Sequence, residues 1–365
     1  MTCLLRGLAV HMVLLACVSC SQPADDIIRF GLQSAPKNLD PRYATDATSA
    51  RLNRLLYQRL VEFDNRLRPV PGIARWELRS PTQYRFHLDP QRAPFQNGQP
   101  LTADDVAATY RSVLDPGNAS PHASSLRLLE SIQVIDRDTL DFTLSQADPL
   151  FPGYLVIGLL PARAIRAQHP FHQSPLGSGA FTLQAWPEPG RLLLVRRADG
   201  QQVEFQVVGD PTVRVLKLLR GEIDLLQNDL PAELLGYLED RDTVQVHFGE
   251  GSNFAYIGFN LQDPLTGQRA VRQAIACAID REAIIEHVFA GAARLAAALL
   301  PPDHWAGDPA LTSCRHDLRR ARVLLQQAGY DSDHPLALSY KTSTDPLRVR
   351  IATIIQAQLH QAGIA

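Results

Sequence analysis

Few residues in this chain stand at spacings that do chemistry, and each set has a plainer use. Asp104 and Asp105 are adjacent acids in the run Leu101-Thr102-Ala103-Asp104-Asp105-Val106, a pair that suits a metal ion or acid–base step. Side chains at i and i+1 diverge on a helix. The same run reads as a helix capped by Thr102, with both acids in the first turn where they favour the dipole. Capping is the better reading. Gly177-Ser178-Gly179 is a serine between glycines, but no Lys-Ser/Thr follows and the chain enters a strand, so it does not cradle phosphate. Neither G-x-S-x-G nor H-E-x-x-H occurs. A secreted hydrolase, the enzymatic alternative, therefore lacks a recognisable nucleophile, base and orienting acid.

Of five cysteines, Cys3, Cys17 and Cys20 lie in the first twenty residues, leaving Cys277 and Cys314. Those two can form one disulfide in an oxidising compartment, or Cys277 can be a buried thiol beside an apolar stripe; both stay open. Outside the first twenty residues there is no C-x-x-C pair and no His/Cys set at metal spacing. No metal and no cofactor is expected.

The 365 residues are 45% hydrophobic and 20% charged, ordinary for a soluble globular chain of two or three domains. The formal charge of -2 argues against a nucleic-acid partner, which needs a concentrated basic face. The cluster Arg315, His316, Arg319, Arg320 and Arg322 reads as the wet side of a helix whose other side is Leu318, Ala321, Leu324 and Leu325.

The elements that must position any site follow from period and caps. Ile27–Leu32 is a strand, followed by a Pro/Asn loop to Asp40-Pro41. Ala50 to Phe63 is a helix with Leu52, Leu55, Leu56 and Leu60 on one face. Alternation makes strands of the run through Tyr84, Phe86 and Leu88, of Ile132–Ile135 and of Thr139–Leu144. Pro161 starts a helix, 203–208 is a strand, and Asp210-Pro211 opens a helix with Val213, Leu216 and Leu219 inward. From Asn253 the chain alternates again: Phe254, Tyr256 and Gly258 one way, Ala255, Ile257 and Phe259 the other, as in a strand. The period then becomes helical, with Val271, Ala274, Ile275, Ala278 and Ile279 on one stripe, and Asp280 capping a second helix. Asp317–Gly329 is a helix, Leu336–Tyr340 a strand, and Asp345-Pro346 opens a last helix to Gly363.

The order F-N, V-R-Q-A-I, A-I-D-R-E-A-I-I, V-F-A-G between Phe259 and Gly291 resembles the central signature of the family 5 extracellular solute-binding proteins. Further matches are the loop ending Leu39-Asp40-Pro41, the phrase from Leu56 to Leu78, and Phe95–Val106, with Gln96-Asn97 where the family has His/Ser-Asp. Pro175–Phe181, Leu219–Asp224 and Ala321–Tyr330 complete them, so the resemblance runs from about residue 27 to the end.

The resemblance implies an α/β fold of the periplasmic binding protein-like type (type II, cluster C), two-lobed with an extra domain and its last part missing. Expected domains are 26–63 with 175–250 (domain I), 64–174 (domain II) and 251–365 (domain III, incomplete). The chain is expected to cross between lobes near Gly177 and again near Asn253. It also implies a binding lipoprotein of an ABC importer, a monomer that captures a peptide or similar small solute and hands it to permease subunits. The ligand contacts implied are Ser34, Ala35 and Pro36 after the first strand, and Asn253, Phe254, Ala255 and Tyr256. Residues 1–20 read as an export signal. Leu14-Leu15-Ala16-Cys17 resembles a lipobox, with Cys17 the lipid-attachment residue and Cys20 its alternative, placing the protein in the periplasm or cell envelope at a bacterial membrane. The end at Gly363-Ile364-Ala365 reads as a C-terminal truncation, and a truncated product without function is the alternative to the receptor.

Overall fold

The computed structural model describes residues 26–227, 230–249, 251 and 253–365. The segment 1–20, with Cys17 and Cys20, lies outside the described residues. Contacts divide the chain into a unit ending at Gln227, which omits Phe63–Val70, and a unit made of Phe63–Val70 with Asn228–Ala365.

The first unit opens with β1 (Ile27–Leu32) and α1 (Ala47–Leu56), and the short paired strands β2 (Val61–Phe63) and β3 (Pro69–Pro71) stand at the two ends of the Phe63–Val70 segment. β4 (Ala74–Ser80), β5 (Gln83–Leu88), α2 (Ala103–Leu114), β6 (Leu129–Val134), β7 (Thr139–Leu144) and α3 (Ala162–Arg166) follow. β8 (Phe181–Glu188), β9 (Arg191–Arg196), β10 (Gln202–Val207), α4 (Pro211–Leu219) and β11 (Leu225–Leu226) complete it. One sheet has the order β11-β1-β10-β9-β8, with β1 parallel to both of its neighbours. The other is antiparallel, β4-β5-β7-β6. Each sheet has its own core. Phe86, Phe142, Tyr110 and Phe151 centre one, and Leu32, Leu52, Leu192, Leu194 and Phe205 the other.

The change from one core to the other falls between Leu159 and Leu160, where the Leu159 amide donates to Gln58 O at 3.0 Å. Tyr57, fully buried, sits at the same crossing. Gly158, Gly177 and Gly179 make room for it: a Cβ at Gly177 would lie 1.9 Å from Leu56 O, and one at Gly158 would lie 2.6 Å from the Tyr57 Cβ. These glycines are there for close approach, not for a turn.

The helix expected over Ala50 to Phe63 is shorter and earlier. It runs from Ala47 to Leu56 with Asp46 accepting from the Ser49 amide, and 61–63 is strand. Tyr57 ends it because its backbone turns extended to carry the chain into the other core. α4 begins at Asp210-Pro211 as expected, but its buried residues are Arg214 and Val215, while Val213 and Leu216 face solvent. The Arg214 guanidinium donates to Val208 O (2.6 Å) and Gly209 O (3.0 Å), which turns that face inward.

The second unit, beyond Phe63–Val70, is helical: α5 (Ala232–Glu239), α6 (Arg269–Ala278), α7 (Arg281–Phe289), α8 (Leu318–Gln327) and α9 (Pro346–Ala362). Val271, Ala274, Ile275 and Ile279 are buried with Ile284, Val288, Leu325 and Ile355, the stripe read from the sequence. Asp280, Asp317 and Asp345 each accept from an amide three residues on, capping α7, α8 and α9. Cys277 and Cys314 form a disulfide joining α6 to the segment before α8. The strand expected at Leu336–Tyr340 is reduced to one parallel bridge, Leu336 to Ile364. Among the described residues no helix is long and apolar enough to cross a membrane.

Candidate ligand-contact segments

Ser34, Ala35 and Pro36 begin the loop after β1, and the start of α1 fixes that loop. The Ser49 hydroxyl accepts from the Lys37 and Asn38 amides (2.9 and 3.0 Å), and the Ser34 hydroxyl pairs with that of Thr48 at 3.2 Å. Behind it, buried Asp40 holds Arg42 through Nε (3.0 Å) and Nη2 (2.6 Å). Bonding to Asp40 holds the Arg42 guanidinium above its usual range in spite of burial, the largest influence, which works the other way. Ser34 is exposed, Ala35 half-buried and Pro36 buried. Ser34 thus offers a hydroxyl and Pro36 packs. The loop is pre-organised just beyond Pro36, where the Lys37 and Asn38 amides are both bonded to Ser49.

Asn253, Phe254, Ala255 and Tyr256 are all exposed. The strand expected here does not form, because no strand among the described residues pairs with it and an extended run without a ladder is not a strand. The alternation holds only from Tyr256 on, since Ala255, read as inward, is exposed. Ile257 and Phe259 pack against the core of the second unit, and Phe254 and Tyr256 are exposed with ring centroids 5.5 Å apart. Tyr256 is 76% exposed. Two aromatic rings thus stand side by side on an exposed segment.

Sequence reading passed over a second apolar surface. Residues 292–300 are all exposed, Leu299 at 69%, and Trp305 is half-exposed with its indole N–H on Leu67 O at 3.2 Å. The signal was the run Ala292-Ala293-Arg294-Leu295-Ala296-Ala297-Ala298-Leu299-Leu300 with no cap at either end. A groove of about 410 Å³ between α2 and β6 is lined by Arg111, Leu114, Asp115 and Leu129 among others. None of the anticipated residues reaches it, and the Arg111 side chain spans it to Ile132 O (2.7 Å).

The acids at 104 and 105 are placed as capping predicts. The Asp105 carboxylate accepts the Thr102 amide (2.8 Å) and hydroxyl (2.9 Å), and its other oxygen accepts the Ala162 amide (2.8 Å). Gln96, where the family pattern has another residue, donates from its side chain to Pro175 O (2.5 Å) and from its amide to Gly177 O (2.9 Å). That departure has a structural use. Among the described residues no group of three or more His, Cys, Asp or Glu side chains is arranged for a metal ion.

Comparison with known proteins gives one answer. The model of the bacterial extracellular solute-binding proteins, family 5 (middle region), matches residues 68–365. The peptide transport periplasmic protein SapA of Salmonella typhimurium is 28% identical over 348 residues, 85% of this chain and 63% of that protein. A dipeptide-binding protein of Pseudomonas aeruginosa is 27% identical over 388 residues, 94% of this chain and 72% of that protein. The chain therefore spans roughly two thirds of the length of these relatives. Among solved structures, NikZ of Campylobacter jejuni in complex with Ni(L-His) superposes with a TM-score of 0.81 at 22% identity, covering 93% of this chain and 72% of that one. The oligopeptide-binding protein AppA of Bacillus subtilis, in complex with a nonapeptide, gives 0.78 at 23%, covering 92% and 73%. The fold is the two-lobed α/β fold of the periplasmic binding proteins. The chain belongs to the family 5 bacterial extracellular solute-binding proteins.

Proposed function

We propose that the chain is a receptor that captures a small solute, peptide before any other class, and delivers it to the permease of an ABC importer. The family match over residues 68–365 carries this reading. The exposed ring pair Phe254–Tyr256 beside unladdered backbone supports peptide, which binds by main-chain hydrogen bonds with side chains in roomy pockets. Ser34, Ala35, Pro36, Asn253, Phe254, Ala255 and Tyr256 are its proposed contacts. Pro36 would act from behind by shaping the loop. We propose that the protein works as a monomer in the periplasm or cell envelope, held to a membrane by lipid on Cys17, or on Cys20 in its place. Three separate cores support three domains, proposed at 26–63 with 175–250, at 64–174 and at 251–365, although Leu160 and Phe171 pack in the core of the first of these and residues 228–250 fall with the second unit. The chemistry is binding, and no catalytic group is assigned.

Thermal unfolding with a panel of dipeptides, tripeptides and the nickel–histidine complex tests this. One member at a hundred times its dissociation constant should add about 2.7 kcal/mol to the stability of the unit it binds. A cooperative melt that no member shifts would overturn the receptor reading, and turnover of a peptide would replace it with an enzyme.

A further inference from the structure

Three helices of the second unit, α6, α8 and α9, pack on one another around Cys277, Ala321 and Ala362. None of the three holds an aspartate or glutamate within its bounds. The acids at their ends are engaged: Asp317 and Asp345 cap α8 and α9, and Asp280 lies 3.4 Å from His316 Nδ1. Positive charge is therefore left uncancelled on α8. Arg315, Arg319 and Arg320 are exposed and have no acidic partner among the described residues. Arg322 beside them is exposed and donates to Gln361 O at 2.7 Å. The whole-chain charge of -2 hides this asymmetry. We propose that the outer face of α8 docks on an anionic lipid surface, meeting its headgroup phosphates. This contact is separate from solute capture and needs no covalently attached lipid.

The packing of α8 decides which way these cations point. Ala321 and Leu325 are buried and Leu318 and Leu324 half-buried against the neighbouring helices, so the arginines between them stand on the solvent side. Arg319 and Arg322 are neighbours one turn apart, a row and not a ring around a point. A convex helix face has no walls to enclose one small anion, whereas a plane of phosphates can meet the whole row. Val323, 46% exposed, lies among the arginines, and Leu311, 49% exposed, is in the segment leading into α8. Cations interleaved with a few apolar side chains suit the headgroup level of a bilayer. Guanidinium binds phosphate oxygens through paired N–H groups, which favours arginine there. Each such cation adds to the attraction, which fades within a Debye length of the surface, about 8 Å at physiological salt.

Co-sedimentation of the full chain with vesicles tests the docking face. One set is phosphatidylcholine alone and the other contains about one third phosphatidylglycerol. Residues 1–20 are common to every protein compared. The unaltered chain should bind the anionic vesicles at least about tenfold more tightly than the neutral ones, a difference that shrinks as salt rises. Arg315→Gln, Arg319→Gln and Arg320→Gln together should cost at least about tenfold on the anionic vesicles. The same loss of charge at Arg127, Arg137 and Arg166, exposed arginines of the first unit, should cost less than about threefold. The α8 variant should keep the melting temperature and any solute-induced shift of the unaltered chain, so loss of docking is read apart from loss of capture. Equal binding to the two vesicles would overturn the proposal. So would an α8 variant that binds as the unaltered chain does, or a first-unit variant that loses as much. If the α8 variant fails to fold, Arg319→Gln alone and the salt series decide between the same outcomes.

Discussion

The first unit is built mainly on two larger sheets and the second on helices. In residues 26–227 every strand of the two larger sheets has a neighbour, and large side chains such as Phe86, Phe142, Phe171 and Tyr57 are buried. Residues 253–365 bury one helical core but expose Tyr256, Leu261, Leu299, Trp305 and Leu311, and residues 292–317 form neither helix nor strand. A soluble surface seldom shows that much large apolar area without a use for it. The comparison teaches where each kind of structure gets its stability. Helices close their bonds locally, so α6 to α9 form wherever a stripe and a cap coincide. Strands need a partner from elsewhere in the chain: among the described residues Phe254–Phe259 has none, and Leu336–Leu338 meets only Ile364 and Ala365.

The sharpest way to break the comparison is to spoil the first unit alone. Gly177→Ala places a Cβ 1.9 Å from Leu56 O in a fully packed joint. It should destabilise the first unit by about 3 kcal/mol or more and leave the second unit's transition in place, measured as two transitions by calorimetry. Spoiling the second unit alone comes next. Cys277→Ser with Cys314→Ser removes a link closing 37 positions of chain, and should lower the second unit's stability by about 2–4 kcal/mol without touching the first. A loss shared by both units in either experiment would mean that they fold as one.

Two pH effects belong to the first unit. Hydrogen bonds from Arg85 hold the Asp141 carboxyl below the usual carboxylate range. Folded Asp141 releases its proton more readily than unfolded Asp141, so this stability is present above the ordinary aspartate value and fades as pH falls through the depressed one. Asp141→Asn should flatten the acid limb of a urea-midpoint profile for this unit. At the other end, burial pushes the Tyr57 and Tyr110 hydroxyls well above the ordinary tyrosine value. Above about pH 10 the unfolded chain ionises first, so stability falls as pH rises, and Tyr110→Phe should remove part of that slope. The smallest expected effect on folding is at the open surface. Tyr256→Ala should change stability by no more than about 0.5 kcal/mol, yet weaken binding of the solute by about tenfold or more, as loss of a ring contact does.

Much of this was legible in the residues. Helix starts at Asp210, Asp280 and Asp345, the stripe from Val271 to Ile279 and the strand at Tyr84–Leu88 all stand where type and spacing put them, because each is a local pattern. The early end of α1 was hidden, since it depends on Tyr57 finding space between glycines a hundred residues away. The inverted face of α4 was hidden too: an arginine buried on two carbonyls outweighs the apolar Val213 and Leu216. At the proposed contacts, alternation placed Phe254 and Tyr256 on one side but could not tell whether a neighbour would pair with the segment. For the loop 34–36, composition said nothing of the Ser49 hydroxyl that organises it.

Amide exchange of the full chain with and without each member of the solute panel tests solute capture most directly. One peptide should slow exchange in residues 253–256 and near Ser34 by about tenfold or more at saturation, with β5 and β7 unchanged. Exchange in those two segments that stays the same with every saturating peptide and with the nickel–histidine complex would contradict it.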